Sequence, residues 1–156
     1  MEGFVQTLIQ LKDFLFSIAH LLSDAGRLLQ PSLKKVLLVM CGGSLGAASR
    51  YGVSLLTAKV WGTQFPWGTL AVNLTGCFLI GLIFALADRV RLLTPDMRLL
   101  LITGYLGALT TFSSFSLETV NAGRSGMTLL PLANMLINNV GGFLLTFFGL
   151  WLGGLK

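Results

Sequence analysis

The sequence predicts an all-α integral membrane protein with four transmembrane helices, and three observations carry that reading. Of 156 residues, 54 % are apolar and 11 % are charged, whereas soluble domains carry about 25 % charged residues. Four apolar stretches each approach the ~20 residues needed to cross a bilayer. The basic residues collect at the ends of those stretches, where they act as topology signals and headgroup contacts.

The elements follow in order. Residues 1–32 place Val5, Leu8, Leu15 and Leu22 at helical spacing among Gln6, Gln10, Asp13 and Ser17, which predicts an N-terminal amphipathic helix lying in the interface. Gln30-Pro31-Ser32 is expected to end it, with Ser32 capping the first spanning helix. Residues 33–156 then form the transmembrane domain. Its spans are expected at about Val36 to Lys59, Trp67 to Ala87, Arg98 to Val120 and Met127 to Leu152. Phe65-Pro66-Trp67 marks entry to the second span. A polar loop, Asp88-Arg89-Val90-Arg91 with Thr94-Pro95-Asp96, separates the second and third. Asn121 to Gly126 makes the last turn. Gly42, Gly43 and Gly46 in the first span and Gly142, Gly149 and Gly153 in the fourth suit close helix packing.

Composition also removes several functions. A net charge of +5 at span ends, with no basic run interleaved with exposed aromatics, does not describe a nucleic-acid surface. Cys41 and Cys77 lack metal-ligand spacing and read as packing residues. With His20 the only histidine and no clustered carboxylates, neither a metal centre nor a nucleophilic triad is present, so the protein is not expected to be an enzyme.

The most informative stretch is Gly104 to Glu118. It places six hydroxyl side chains and a carboxylate within a membrane span. Polar groups at that depth are costly unless they face protein, water or a permeating solute. Helix-to-helix hydrogen bonding is the alternative use of such hydroxyls. Phe112 and Phe115, three apart, share a helix face, beside a stripe of Thr111, Ser114 and Glu118. Phenyl edges are electropositive and can stabilise a bare anion in a narrow pore; equally, two Phe can simply pack. Asn73, central in the second span, offers neutral donors or interhelical glue, and Asn138 and Asn139 in the fourth are similar. Arg50 within the first span either draws anions in or pairs and snorkels. Near Gly107 to Thr110 the third helix is expected to break, exposing carbonyls suited to a hard cation such as Na+.

These residues resemble the Fluc (CrcB) family of fluoride ion channels over about residues 36–153. The resemblance rests on Gly46-Ala47-Ala48-Ser49-Arg50-Tyr51, on Gly68 to Gly76 and on Gly104 to Glu118. It implies a dimeric bundle of antiparallel four-helix subunits in the bacterial inner membrane, with passive fluoride export that reduces fluoride toxicity. By position, Phe112 and Phe115 would be the pore phenylalanines and Asn73 the fluoride-contacting amide. Ser113, Ser114, Ser116 and Glu118 would line a polar track, and Arg50 would lie near a vestibule. Main-chain carbonyls of Gly107 and Thr110 from both subunits would hold a structural Na+ at the dimer axis. Asn138 stands where the family pattern leads us to expect Ser, and the N-terminal extension lies outside the pattern. A small multidrug-type proton-coupled exporter is the alternative four-span dimer, but it wants a carboxylate in the first span, where this chain has Arg50.

Basic residues are unequally divided. Lys34, Lys35, Arg89, Arg91, Arg98 and Lys156 fall on one side, against Lys59 and Arg124 on the other. This bias favours a cytoplasmic N-terminus, whereas an antiparallel homodimer needs one chain to insert both ways. Homodimer is the expectation, with a heterodimer of oppositely biased subunits as the other outcome.

Overall fold

The computed structural model describes the backbone of residues 2–90 and 94–154, and the side chains of residues 30–87 and 94–154. The described residues are helices joined by short connections, with no strand. The chain divides into two compact units, Met1–Leu37 and Leu38–Lys156. The side chains of the expected amphipathic segment up to residue 29, including His20, and those of Asp88, Arg89, Arg91 and Lys156 lie outside the described residues.

Helix α1 runs Glu2–Trp61. The expected end at Gln30-Pro31-Ser32 is corrected: Pro31 lies inside the helix and Ser32 is helical, so Ser32 caps nothing. Proline withholds one N–H from the ladder, a loss that long apolar helices tolerate because neighbouring groups re-satisfy the freed carbonyl. Gly62, at φ 77, turns the chain out of α1.

Helix α2, Trp67–Val90, follows Pro66 as expected. The third span starts at Thr94, whose hydroxyl accepts from the Met97 N–H at 3.3 Å, with Pro95 in the first turn, where it has no N–H to leave unpaired. Helix α3 covers 95–109 and includes a π-helical stretch, Leu99–Leu106. Helix α4 is Phe112–Arg124, so the last turn is shorter than expected and centres on Gly126 at φ 78. Helix α5 covers Leu129–Gly154, beginning at Leu129 rather than Met127, with a π-helical turn at Ile137–Gly141. Four candidate spans, Gln30–Trp61, Trp67–Ala87, Pro95–Arg124 and Leu129–Gly154, are long and apolar enough to cross a membrane.

Backbone proximity organises the second unit. A Cβ on Gly42 or Gly46 would overlap the carbonyls of Leu100 or Tyr105, so α1 and α3 meet main chain to main chain, as small residues permit in membranes. Helices α2 and α5 pack extensively, with Gly149 against the Phe78 carbonyl and Gly142 against Cys77. A small apolar core of Val72, Leu106 and Leu109 sits between α2 and α3, flanked by Val53, Leu79, Ile83 and Tyr105. Large apolar side chains such as Leu45, Leu56, Phe84 and Phe147 face outward. That pattern suits lipid, because without water the bilayer offers no drive to hide them.

Candidate functional site

The site is built around two residues that leave helical geometry. Thr110 has φ −82, ψ 154 and Thr111 has φ −153, ψ 120, both extended. Gly107–Leu109 remain helical. Backbone polar groups released at membrane depth need partners within the protein, and α2 supplies them. Asn73 Oδ1 accepts from the Thr111 N–H at 2.8 Å, and Asn73 Nδ2 donates to the Thr111 carbonyl at 3.2 Å. Gly76, three residues along the same face, makes room for Thr110: a Cβ there would overlap the threonine methyl. Thr111 in turn caps α4, its hydroxyl accepting from the Ser114 N–H at 3.2 Å and lying 3.2 Å from both the Ser113 and Ser114 hydroxyls.

The polar string continues across the bundle. Asn73 Nδ2 donates to Asn138 Oδ1 at 3.0 Å. Asn138 Nδ2 donates to the Asn134 carbonyl at 3.1 Å and to Asn134 Oδ1 at 2.8 Å. Asn134 Nδ2 donates to Thr119 Oγ1 at 2.8 Å, and that hydroxyl donates to the Phe115 carbonyl at 2.7 Å. Backbone partners set the Asn73 and Asn138 amide orientations, and that of Asn134 follows from Asn138. The Thr111 N–H can only donate, so Asn73 turns its oxygen to it; the Asn134 carbonyl can only accept, so Asn138 turns its nitrogen to that. The result is a one-way chain of donors from Thr111 to Phe115. Every member is neutral, and aligned hydrogen bonds in a low dielectric polarise one another.

A cavity of about 330 Å³ lies along this string, lined by Asn73, Gly107, Thr110, Thr111, Phe112, Phe115 and Asn138 among others. The two phenyl rings meet at 5.5 Å between centroids, tilted by 55°. They differ in environment: Phe115 is 6 % exposed and Phe112 75 %. Phe115 is therefore held by its own chain, while Phe112 presents a free face.

A second cavity of about 410 Å³ is lined by Ser54, Thr57, Thr69, Glu118, Asn121 and Ser125, by the 62–66 connection and by the start of α2. Glu118 Oε1 accepts from the Thr69 hydroxyl at 2.7 Å, and its buried Oε2 has no hydrogen-bond partner among the described residues. Ser113 is exposed and Ser114 and Ser116 half-buried on α4. Arg50 is half-buried one helical turn before Ser54 and lines neither cavity.

The carbonyls of Gly107 and Thr110 are the main-chain oxygens that could hold a hard cation. In a continuous helix Gly107 would receive the Thr111 N–H and Thr110 the Ser114 N–H. Here Thr111 N–H goes to Asn73 and Ser114 N–H to the Thr111 hydroxyl. Both oxygens are thus relieved of their helical donors, and both residues line the smaller cavity. Among the described residues no cluster of His, Cys, Asp and Glu could hold a metal ion.

Sequence reasoning missed Asn134 and Thr119, the inner links of the string. Asn134 is the one large side chain fully buried among the described residues, at 0 % exposure. The available signal was Asn134-x-x-x-Asn138, two amides at i, i+4 on one face of an apolar helix.

Comparison with known proteins places the chain. Residues 37–150 match the protein-family model described as CrcB-like protein, Camphor Resistance (CrcB). The chain is 42 % identical over 121 residues to the fluoride-specific ion channel FluC of Dehalococcoides mccartyi, covering 78 % of this chain and 93 % of that protein. It is 41 % identical over 119 residues to FluC of Leptospira interrogans, covering 76 % and 94 %. It is 46 % identical over 117 residues to FluC of Salinibacter ruber, covering 74 % and 86 %.

Proposed function

The chain belongs to the CrcB family, and from that premise we propose that it is a multi-pass membrane channel for fluoride, with the Asn73–Phe112–Phe115 cavity on the permeation path. It is not an enzyme. The single observation that carries the residue assignment is that the cavity collects both phenylalanines, the central amide and the extended Thr110–Thr111 backbone in one place.

The physical logic is size and donor strength. Fluoride is small and strongly hydrated, so a path must replace its water with close, directional donors. Amide and hydroxyl groups do this without the fixed charge that would trap the ion. The ring edges of Phe112 and Phe115 add weak, adaptable stabilisation. Ser113, Ser114, Ser116 and Glu118 continue a polar track along α4 towards the larger cavity, and Arg50, one turn from Ser54, biases anions towards it.

The functional unit in this reading is an antiparallel homodimer. Phe112, with its exposed ring, lies where a second copy would complete the wall of the path. The Gly107 and Thr110 carbonyls of two copies would hold a sodium ion on the axis, which supplies fixed positive charge where two interrupted helices meet. The exporter reading gains no support, since the relatives carry the channel name and α1 has Arg50 in place of a carboxylate.

Purified protein in liposomes tests the function. Fluoride-loaded vesicles should empty on relief of the electrical potential, while chloride-loaded vesicles hold their contents. Equal release of the two ions would overturn the reading.

A further inference from the structure

We propose that Asn138 sets how tightly the channel holds fluoride, because its side-chain oxygen occupies the Asn73 donor that the ion must take over. The inference rests on the pathway assignment above and gives Asn138 a role of its own there.

Asn73, Thr110 and Thr111, on the polar wall of the 330 Å³ cavity, present side-chain donors that are already engaged. Asn73 has two N–H bonds on Nδ2, and they point to the Thr111 carbonyl at 3.2 Å and Asn138 Oδ1 at 3.0 Å. The Thr110 hydroxyl donates to the Leu106 carbonyl at 3.0 Å. The Thr111 hydroxyl is held in the serine cluster at the start of α4. Asn138 directs its own nitrogen away, to Asn134. Asn139, which also lines the cavity, donates to the Met135 carbonyl at 2.7 Å. At Asn73 an anion therefore gains a strong donor only by displacing an acceptor.

The two acceptors on Asn73 are unequal in how far they can yield. The Thr111 carbonyl belongs to a main chain pinned on its N–H side by the same asparagine. The Asn138 oxygen ends a side chain with two rotatable torsions, restrained only through its amide bonds to Asn134, on the π-helical turn Ile137–Gly141. It is also a neutral acceptor, and a hydrogen bond to an anion is roughly twice as strong as one between neutral groups. Fluoride displaces the Asn138 oxygen and takes its place at Asn73 Nδ2. The bond that is given up weakens ion binding by about five-fold, the equilibrium weight of one net neutral hydrogen bond. Weaker holding favours release, so Asn138 trades affinity for throughput.

Asn138→Ser is the direct test. A serine hydroxyl is too short to bridge to Asn73 but bonds back to the Asn134 carbonyl one turn earlier, so the fourth span keeps an internal partner. In liposome flux assays the variant should reach half-maximal fluoride flux at about five-fold lower fluoride than the parent. A purely structural Asn138 would lower the maximal flux without moving that concentration, and an unmoved half-saturation point overturns the proposal while leaving the channel reading intact. Absence of fluoride flux from the parent protein itself would overturn the channel reading instead. Should the serine variant not assemble, titration of the parent gives an independent answer. With asparagine side chains labelled with nitrogen-15, sodium fluoride should shift the Asn73 and Asn138 amide resonances together, and sodium chloride should shift neither. An Asn138 signal that stays still as Asn73 moves refutes the displacement.

Discussion

At the scale of single residues, Asn73 carries two obligations that composition alone cannot separate. Its position mid-span marks it as a functional amide, yet it also holds both the N–H and the C=O of Thr111. Those lie 38 positions away in sequence, beyond any local pattern. Asn73→Ala leaves both backbone groups unpaired in an apolar setting, at about 1–3 kcal/mol for each buried group. The variant should therefore lose thermal stability in detergent as well as flux; a melting temperature equal to the parent's would show that the clamp contributes nothing. The phenylalanines separate packing from permeation more cleanly. Phe112→Ile and Phe115→Ile keep apolar bulk and remove the electropositive ring edge. Each variant should assemble yet conduct fluoride far more slowly, and parental flux in the double variant would remove the rings from the path. Phe115→Ile should also cost about 1 kcal/mol of stability because that ring is buried, whereas Phe112→Ile should cost the isolated subunit little.

Elements meet here through glycines, and each crossing makes a prediction. Gly76→Ala places a methyl on the Thr110 methyl, so it should displace the extended backbone and reduce flux. Thr110→Ser removes the opposing methyl, and the Gly76→Ala/Thr110→Ser pair should recover most of that loss. Failure of the pair to recover, with both single variants folded, would mean that the two residues do not share this contact. At the α1–α3 crossing no side chain can yield, because the opposing atom is the Tyr105 carbonyl. Gly46→Val should destabilise by about 1–3 kcal/mol, the typical result of overpacking, as read by denaturant unfolding in detergent. Periodicity and small-residue spacing suggested that these glycines pack, but the partner helix and its register come only from the tertiary arrangement.

At the scale of the whole molecule, orientation is the open physical question posed by charge. Lys34, Lys35, Arg89, Arg91, Arg98 and Lys156 against Lys59 and Arg124 is a bias that the positive-inside rule reads as one orientation. An antiparallel homodimer needs two. Tags at Lys156 in cells lacking related genes should report both membrane faces; a cytoplasmic tag alone would replace the homodimer with a heterodimer. The sodium reading has its own check. Exchanging Na+ for a large organic cation should dissociate the dimer or abolish flux, because only a small hard cation suits main-chain oxygens relieved of their helical donors.

The sequence by itself determined the membrane class, the four spans and the residues in which polar chemistry is concentrated. Those depend on local quantities: the length of apolar runs, the high cost of polar groups in hydrocarbon, and the rarity of six hydroxyls in one span. Only the tertiary structure decided what the polar residues bond to. It carried helical geometry through Pro31, which local rules treat as a stop, and it placed the extended dihedrals on Thr110 and Thr111. It also joined Thr111, Asn73, Asn138, Asn134, Thr119 and Phe115 into one directed string across three segments of chain. A hydrogen bond is directional and short, so its partner depends on helix register and rotation to within an ångström. Sequence periodicity resolves the face of a helix but not its register against a neighbour, and for that reason Asn134 stayed hidden until the helices were packed.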